Sequence, residues 1–197
     1  MLLSIRYRME AKRLSREHWL RAARRAMLKG GYGAASVEGL ARTLGVTKGS
    51  FYWHFRTRAE LLDELLQEWE LETSELFARA SAFGDVREGL QWLMAESGRR
   101  VVASERGDAP SDAAIFAWSA TDPRVARCVA KVEEIRVAFL AAAVGSARHG
   151  ELAYLCYLGF LDRRRRVPGM SARFGEVMQS MFDLVVSPQT APAKQTA

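Results

Sequence analysis

Cysteine is scarce in this sequence: Cys128 and Cys156 are the two in 197 residues. So few argue against a disulfide-stapled fold, and their spacing suits no metal site. The expectation is a pair of structural thiols in a reducing compartment, with no metal and no cofactor. Histidine is equally thin. His18, His54 and His149 stand without a glycine-framed serine, a cysteine partner or an HExxH pair, and no phosphate-cradling loop occurs. That argues against an enzyme. No run reaches the ~20 apolar residues that a membrane-spanning helix needs, and the apolar start at residues 1–5 meets Arg6 and Arg8 too soon for a secretory signal. The chain reads as soluble and cytoplasmic, with no membrane partner. Alternating β-branched runs are missing too, while apolar residues recur at three and four throughout. The expected fold class is all-α.

What the sequence has is charge, unevenly spread. The net charge is +6, but residues 1–58 carry 13 Lys or Arg against Glu10, Glu17 and Glu38, a surplus of ten; the remainder carries 16 basic against 20 acidic residues. A basic head on a mildly acidic body suits a polyanionic partner at one end.

Caps and breakers divide the chain into helices. Ser15 can cap a helix running to about Lys29, stopped by Gly30-Gly31, and Ser36 can cap a short one ending near Leu44. Gly45 makes a turn, and Thr47 opens a third helix expected to end at Phe55. Thr57 caps a long helix over 58–80, with Leu62, Leu65, Leu66, Trp69, Thr73, Leu76 and Phe77 along one face. Asp85 caps the next, its stripe formed by Val86, Leu90, Leu93, Met94, Ser97 and Val101. After a loop at 105–112 comes a short helix through Trp118. Asp122-Pro123 then opens a helix to about Ala147, with Gly150 expected to separate it from its successor. Residues 152–161 are apolar on every side, as in a helix buried all round. Pro168-Gly169 breaks the chain before a last helix over 171–186. The organisation read from this begins with a three-helix helix-turn-helix head over 1–58, of which 1–14 form a basic arm, with Met9 as an alternative start. Then come a larger helical-bundle body over 59–186, for ligand binding and dimerisation, and a disordered tail over 187–197.

The segment from Gly31 to Phe55 holds two short helices around a glycine turn. A helix-turn-helix sets the N-terminal part of its second helix against base edges and flanking polar groups on phosphates. Thr47, Lys48, Gly49 and Ser50 occupy that N-terminal part, where backbone N–H groups favour anions. Val37, Leu40, Val46, Phe51 and Phe55 can form the small core behind it, and Ser36, Tyr52, His54 and Arg58 complete the candidate DNA-binding set. Double-stranded DNA is the expected partner.

These residues resemble the head of the tetracycline-repressor (TetR) family of bacterial regulators. The matching features are Gly31-Tyr32, Ser36-Val37, Leu40-Ala41, Gly45-Val46-Thr47-Lys48-Gly49, Tyr52-Trp53-His54-Phe55, and Arg58 leading into Glu60-Leu61-Leu62. The resemblance covers about residues 15–66 without a gap; beyond them it is one of helix order and length. It implies that Tyr52 and His54 contact phosphates, that Lys48 and its neighbours meet the groove, and that Arg58 steadies the DNA backbone. Two residues depart from the pattern. Ala35 stands where the family often has Thr, and Glu38-Gly39 puts an acid and a poor helix former in the second helix.

In the body, Trp69, Trp92, Met94, Phe116, Trp118, Phe139 and Tyr154 are candidates to line an apolar ligand site, though each also suits core packing. Tyr154, Leu158, Phe174, Val177, Met178, Met181, Phe182 and Val185 are candidates for a homodimer interface, because the last helix has an apolar arc wider than one core requires. Arg21, Arg24 and Arg25 read as a solvated helix face, and the 162–166 run, Asp with four Arg after it, as an exposed linker. The function implied is a repressor that binds a palindromic operator as a homodimer and is released by a small, largely apolar effector of unknown identity. A cysteine-based redox regulator, or a DNA-binding regulator with no small effector, are the alternatives.

Overall fold

A computed structural model describes residues 14–186; all but the last residue of the expected basic arm at 1–14, and the expected tail at 187–197, lie outside them. The described residues form α-helices and two short 3-10 turns, with no strand among them. The helices are α1 (Arg16–Gly30), α2 (Val37–Leu44), α3 (Lys48–Tyr52), α4 (Arg58–Ser81), α5 (Val86–Glu105), α6 (Asp112–Ser119), α7 (Pro123–Val144), α8 (Ala147–Arg164) and α9 (Phe174–Val186). No helix of the described residues is long and apolar enough to cross a membrane.

The chain divides into two compact units, the first made of residues up to 69 with 103–125, the second of 70–102 with the residues from 126 onward. The first unit therefore reaches past residue 58, taking in the first half of α4 and all of α6. Ion pairs explain part of this. Arg16 of α1 bridges Glu60 and Glu64 of α4, and Arg24 of α1 bridges Glu17 and Glu68. Arg24 is 5% exposed and its Nη1 also donates to the Gly107 carbonyl at 3.1 Å. Arg21 pairs with Asp108, and Arg25 donates to the Arg106 carbonyl. The arginine face of α1 is thus a docking face, and the solvated reading of Arg24 is corrected. A charge periodicity on one helix looks the same whether water or a distant carboxylate faces it.

Local signals place most boundaries. The Ser15 N–H donates to Nδ1 of His18 at 3.1 Å at the start of α1, and the Gly39 N–H donates to the Ser36 hydroxyl at 3.1 Å at the start of α2. Two ends differ from expectation. α3 stops at Tyr52, with Trp53 and His54 in a turn closed by the Phe55 N–H on the Phe51 carbonyl at 3.0 Å. α8 begins before Gly150: Gly145, with φ of 69°, ends α7, and Ser146 caps α8 by accepting from the His149 N–H. Gly150 serves packing instead. A Cβ there would lie 2.5 Å from the Ala141 backbone nitrogen, so its missing side chain lets α8 cross close to α7.

In the second unit the core gathers Phe77, Leu90, Leu93, Phe139, Leu140, Tyr154 and Phe182, with Trp92, Met94, Leu158 and Met181 packed against them. α8 is not buried all round. Leu152 and Leu155 are exposed, while Ala153, Tyr154, Phe160 and Leu161 are buried.

Candidate nucleic-acid interface

The head is built on an aromatic core. Trp19 of α1 meets Phe51 of α3 edge-on at 5.2 Å, Phe51 stacks on Phe55 at 5.3 Å, and Leu40 and Leu61 close the space; all five side chains are nearly inaccessible. Val37 is buried as expected and Val46 only half-buried. The turn between α2 and α3 depends on Gly45, whose φ of 70° is left-handed. A side chain there would be strained, whereas glycine lets the Val46 N–H reach the Ala41 carbonyl at 3.0 Å and the Gly45 N–H the Arg42 carbonyl at 3.2 Å. That closure fixes the direction in which α3 leaves α2.

With α3 anchored through Phe51, its other residues are left outside. Thr47, Lys48, Gly49 and Tyr52 are exposed, and Ser50 is half-buried. Trp53 is 88% exposed, and nothing in the sequence pattern singled it out as a contact. An indole so open next to Tyr52 adds an aromatic surface to the same end of α3. The signal for it was the family-like Tyr-x-His-Phe run, whose second position carries no expectation. Exposed on the neighbouring elements are Arg42, Thr43, Arg56 and Thr57.

The remaining candidates are held in place by the head itself. The Ser36 hydroxyl is the α2 cap. His54 is half-buried, its ring tilted 6.5 Å from Trp19 and its carbonyl accepting from Arg16. Arg58 donates through Nε to the Ala35 carbonyl at 2.8 Å and through Nη2 to the Tyr32 carbonyl at 2.6 Å, with its guanidinium 5.5 Å from the Tyr32 ring. It braces the loop between α1 and α2. Glu38 also has an account. It forms an ion pair with Lys48, and the hydrogen bond from Lys48, with help from its own backbone N–H, holds the Glu38 carboxyl below the usual carboxylate range.

Such a surface, a short exposed helix fixed by a glycine turn to a rigid support, has the form of a major-groove reader. The comparison with known proteins agrees. Residues 20–65 match the sequence pattern described as bacterial regulatory proteins, tetR family. Its head is thus of the tetR type. The HTH-type transcriptional regulator TtgR of Pseudomonas putida is 37% identical over 81 residues, 41% of this chain and 38% of that protein. The HTH-type transcriptional regulator AcrR of Shigella flexneri is 36% identical over 62 residues, 32% of this chain and 27% of that one. The matched part thus spans well under half the length of these relatives. Among solved structures, a transcriptional regulator from Rhodococcus sp. Rha1 superposes with a TM-score of 0.63 at 20% identity, over 88% of this chain and 96% of that one. NalD, the secondary repressor of the MexAB-OprM multidrug efflux pump in Pseudomonas aeruginosa, gives 0.56 at 20% identity, over 85% and 93%. At that identity they establish a shared all-helical fold.

The candidate ligand residues fall in both units. Trp69, Phe116 and Trp118 lie in the first, where Phe116 meets Trp69 edge-on at 6.2 Å, Trp69 Nε1 donates to Asp112, and Trp118 stacks on Tyr32 at 5.8 Å. Trp92, Met94, Phe139 and Tyr154 share the core of the second. Of the candidate dimer residues, Tyr154, Phe174, Met178 and Phe182 are buried within the chain, whereas Leu158, Val177, Met181 and Val185 are half-buried.

Proposed function

We propose that the chain is a DNA-binding transcriptional regulator that acts as a repressor. It binds a palindromic operator as a homodimer and is released by a small, largely apolar effector held in the second unit. The observation that carries the DNA-binding part is the exposed 47–53 surface anchored by buried Phe51. Thr47, Lys48, Gly49, Ser50 and Tyr52 would read or clasp the duplex, Trp53 would add a contact, and Ser36 and His54 would reach phosphates from the flanks. Arg58 acts by bracing the 32–35 loop. A twofold dimer presents two such helices to half-sites about 34–36 Å apart, so an effector that favours another separation weakens binding by linkage.

The field that attracts DNA is smaller than the sequence surplus of ten, because Arg16, Arg21 and Arg24 pair with Glu64, Asp108 and Glu68, acids outside the segment over which that surplus was counted. Lys48 has Glu38 beside it. Salt dependence is the test. Affinity for a duplex selected from a random library should fall with a log–log slope of about −0.9 for each phosphate neutralised. An affinity indifferent to salt would overturn the proposal. Glu38→Gln is expected to raise affinity a few-fold and to steepen that slope, because Lys48 then has no intramolecular counter-charge. Gel shifts at two salt concentrations measure both, and an unchanged slope would mean that Lys48 faces away from DNA.

The redox alternative has little support. Burial, with a smaller push from the neighbouring Glu70, raises the Cys128 thiol to about 11, and burial also raises that of Cys156. Reactivity needs the thiolate, which such groups rarely form at neutral pH.

A further inference from the structure

We propose that Glu38 and Lys48 together read one base pair of each operator half-site, Lys48 donating to guanine O6 and N7 and Glu38 accepting from the amino group of the paired cytosine. This rests on the reading of the chain as a DNA-binding regulator and deepens it by naming a specificity determinant. Glu38 lies in the first turn of α2, and Lys48 opens α3. The Ser36 cap sets the start of α2 and the left-handed Gly45 sets the departure of α3, so two local devices bring these side chains together. The Lys48 ammonium donates to Glu38 Oε1, yet the two side chains remain 57% and 54% exposed. An ion pair so open to water contributes little to the fold. It can turn toward a partner without loosening the core of Trp19, Leu40, Phe51 and Phe55.

The chemistry of the partner follows from the signs of the two groups. Lys48 is the one cation of the 47–53 surface, and the carboxylate beside it is kept ionised by the hydrogen bond from Lys48 and by its own backbone N–H. A phosphate offers acceptors alone, so it satisfies Lys48 and repels Glu38. A base edge in the major groove offers both kinds of group. Guanine presents two adjacent acceptors, N7 and O6, and the cytosine paired with it sets its N4 donor next to O6. An ammonium already hydrogen-bonded to a carboxylate matches that arrangement, cation to acceptors and anion to donor. An A·T pair matches it less well, because the adenine N6 donor separates the acceptors N7 and O4 and the thymine methyl flanks O4. The match also has a direction. In the inverted pair the carboxylate meets the guanine acceptors and is repelled. An acid in a basic head is then a source of selectivity, because it penalises every contact that lacks a donor.

The test uses the full chain and duplexes selected from a random library, separately by the wild-type, Glu38→Ala and Glu38→Gln proteins. The wild type should fix at least one G·C pair, in one orientation, in each half-site. Inverting the pair that Glu38 reads should weaken wild-type binding about tenfold or more, the scale of one good base contact. Glu38→Ala should show a penalty several-fold smaller at that pair and the wild-type penalty at every other. Glu38→Gln should accept adenine in place of the cytosine, since an amide matches adenine N6 and N7. Modified bases decide the matter on the wild-type protein alone, whether or not the variants fold. 7-Deazaguanine at the fixed guanine removes the N7 acceptor, and N4-methylcytosine opposite it covers the groove-facing amino hydrogen; each should weaken binding. A Glu38→Ala protein that keeps the wild-type penalty at every fixed G·C pair would overturn the proposal. So would wild-type binding indifferent to N4-methylcytosine at all of them, or enriched half-sites with no fixed G·C pair. These outcomes leave DNA binding itself standing. Failure to enrich any duplex would refute DNA binding, and the proposal with it.

Discussion

Tyr52→Ala and Lys48→Ala, made singly in the full chain, are each expected to lower affinity for the selected duplex by about 1–3 kcal/mol per head, doubled in a dimer, which takes binding out of the range of a gel shift. Tyr52 and Lys48 are exposed, so the melting transition should move little, as for most surface substitutions. Lys48→Ala should have the larger effect, because it removes a cation and also leaves the Glu38 carboxylate without its partner beside the DNA backbone. Circular dichroism and gel shifts on the same preparations measure the two quantities separately. A Tyr52→Ala protein that unfolds would mean that its edge contact with Phe51, 5.4 Å between ring centres, is structural. Full binding by either variant would move the groove-reading surface elsewhere.

Leu152→Glu combined with Leu155→Glu is expected to give a folded monomer that binds DNA weakly. These exposed leucines sit one turn apart on α8, and α8 packs on α9, which exposes Leu184 and leaves Val177, Met181 and Val185 half-buried. In a twofold interface each introduced charge meets its own copy or is buried against an apolar surface. Loss of the second half-site removes the gain of bivalency, about 10²- to 10⁴-fold in apparent affinity. Sedimentation at micromolar concentration is the measurement, and a double variant that remains a dimer would place the interface elsewhere. The choice of positions matters. Phe174, which the width of the apolar arc also suggested, is 3% exposed and meets Phe160 edge-on at 5.2 Å, so a charge there would break the chain's own core before it reached any partner.

The head was legible because its determinants are local. Ser36 can cap the helix that begins directly after it, Gly45 can take the left-handed conformation that the turn requires, and Phe51 and Phe55 lie at a helical interval; each of these is a property of a few adjacent residues. Long-range partners were not legible. Whether Arg24 faces water or Glu68, and whether Arg58 braces the Tyr32 and Ala35 carbonyls or reaches outward, depends on which segments fold back against α1 and α4. The same holds for Gly150. As a helix separator it was misplaced by one turn, because a glycine that lets two helices approach and one that ends a helix look alike in sequence.

By itself, then, the sequence determined the helical class, the caps and turns, and the chemistry of the 47–52 surface, since all derive from backbone preference and spacing within about a helical turn. Only the tertiary structure decided that the first compact unit extends through Trp69 and takes in α6, that Arg24 of α1 is a buried strut, and which apolar residues of α8 and α9 serve the chain's own core. It also brought Glu38 of α2 against Lys48 of α3. An amphipathic stripe says that a face must be covered; what covers it is set by residues many turns away, and periodicity along one helix carries no record of them.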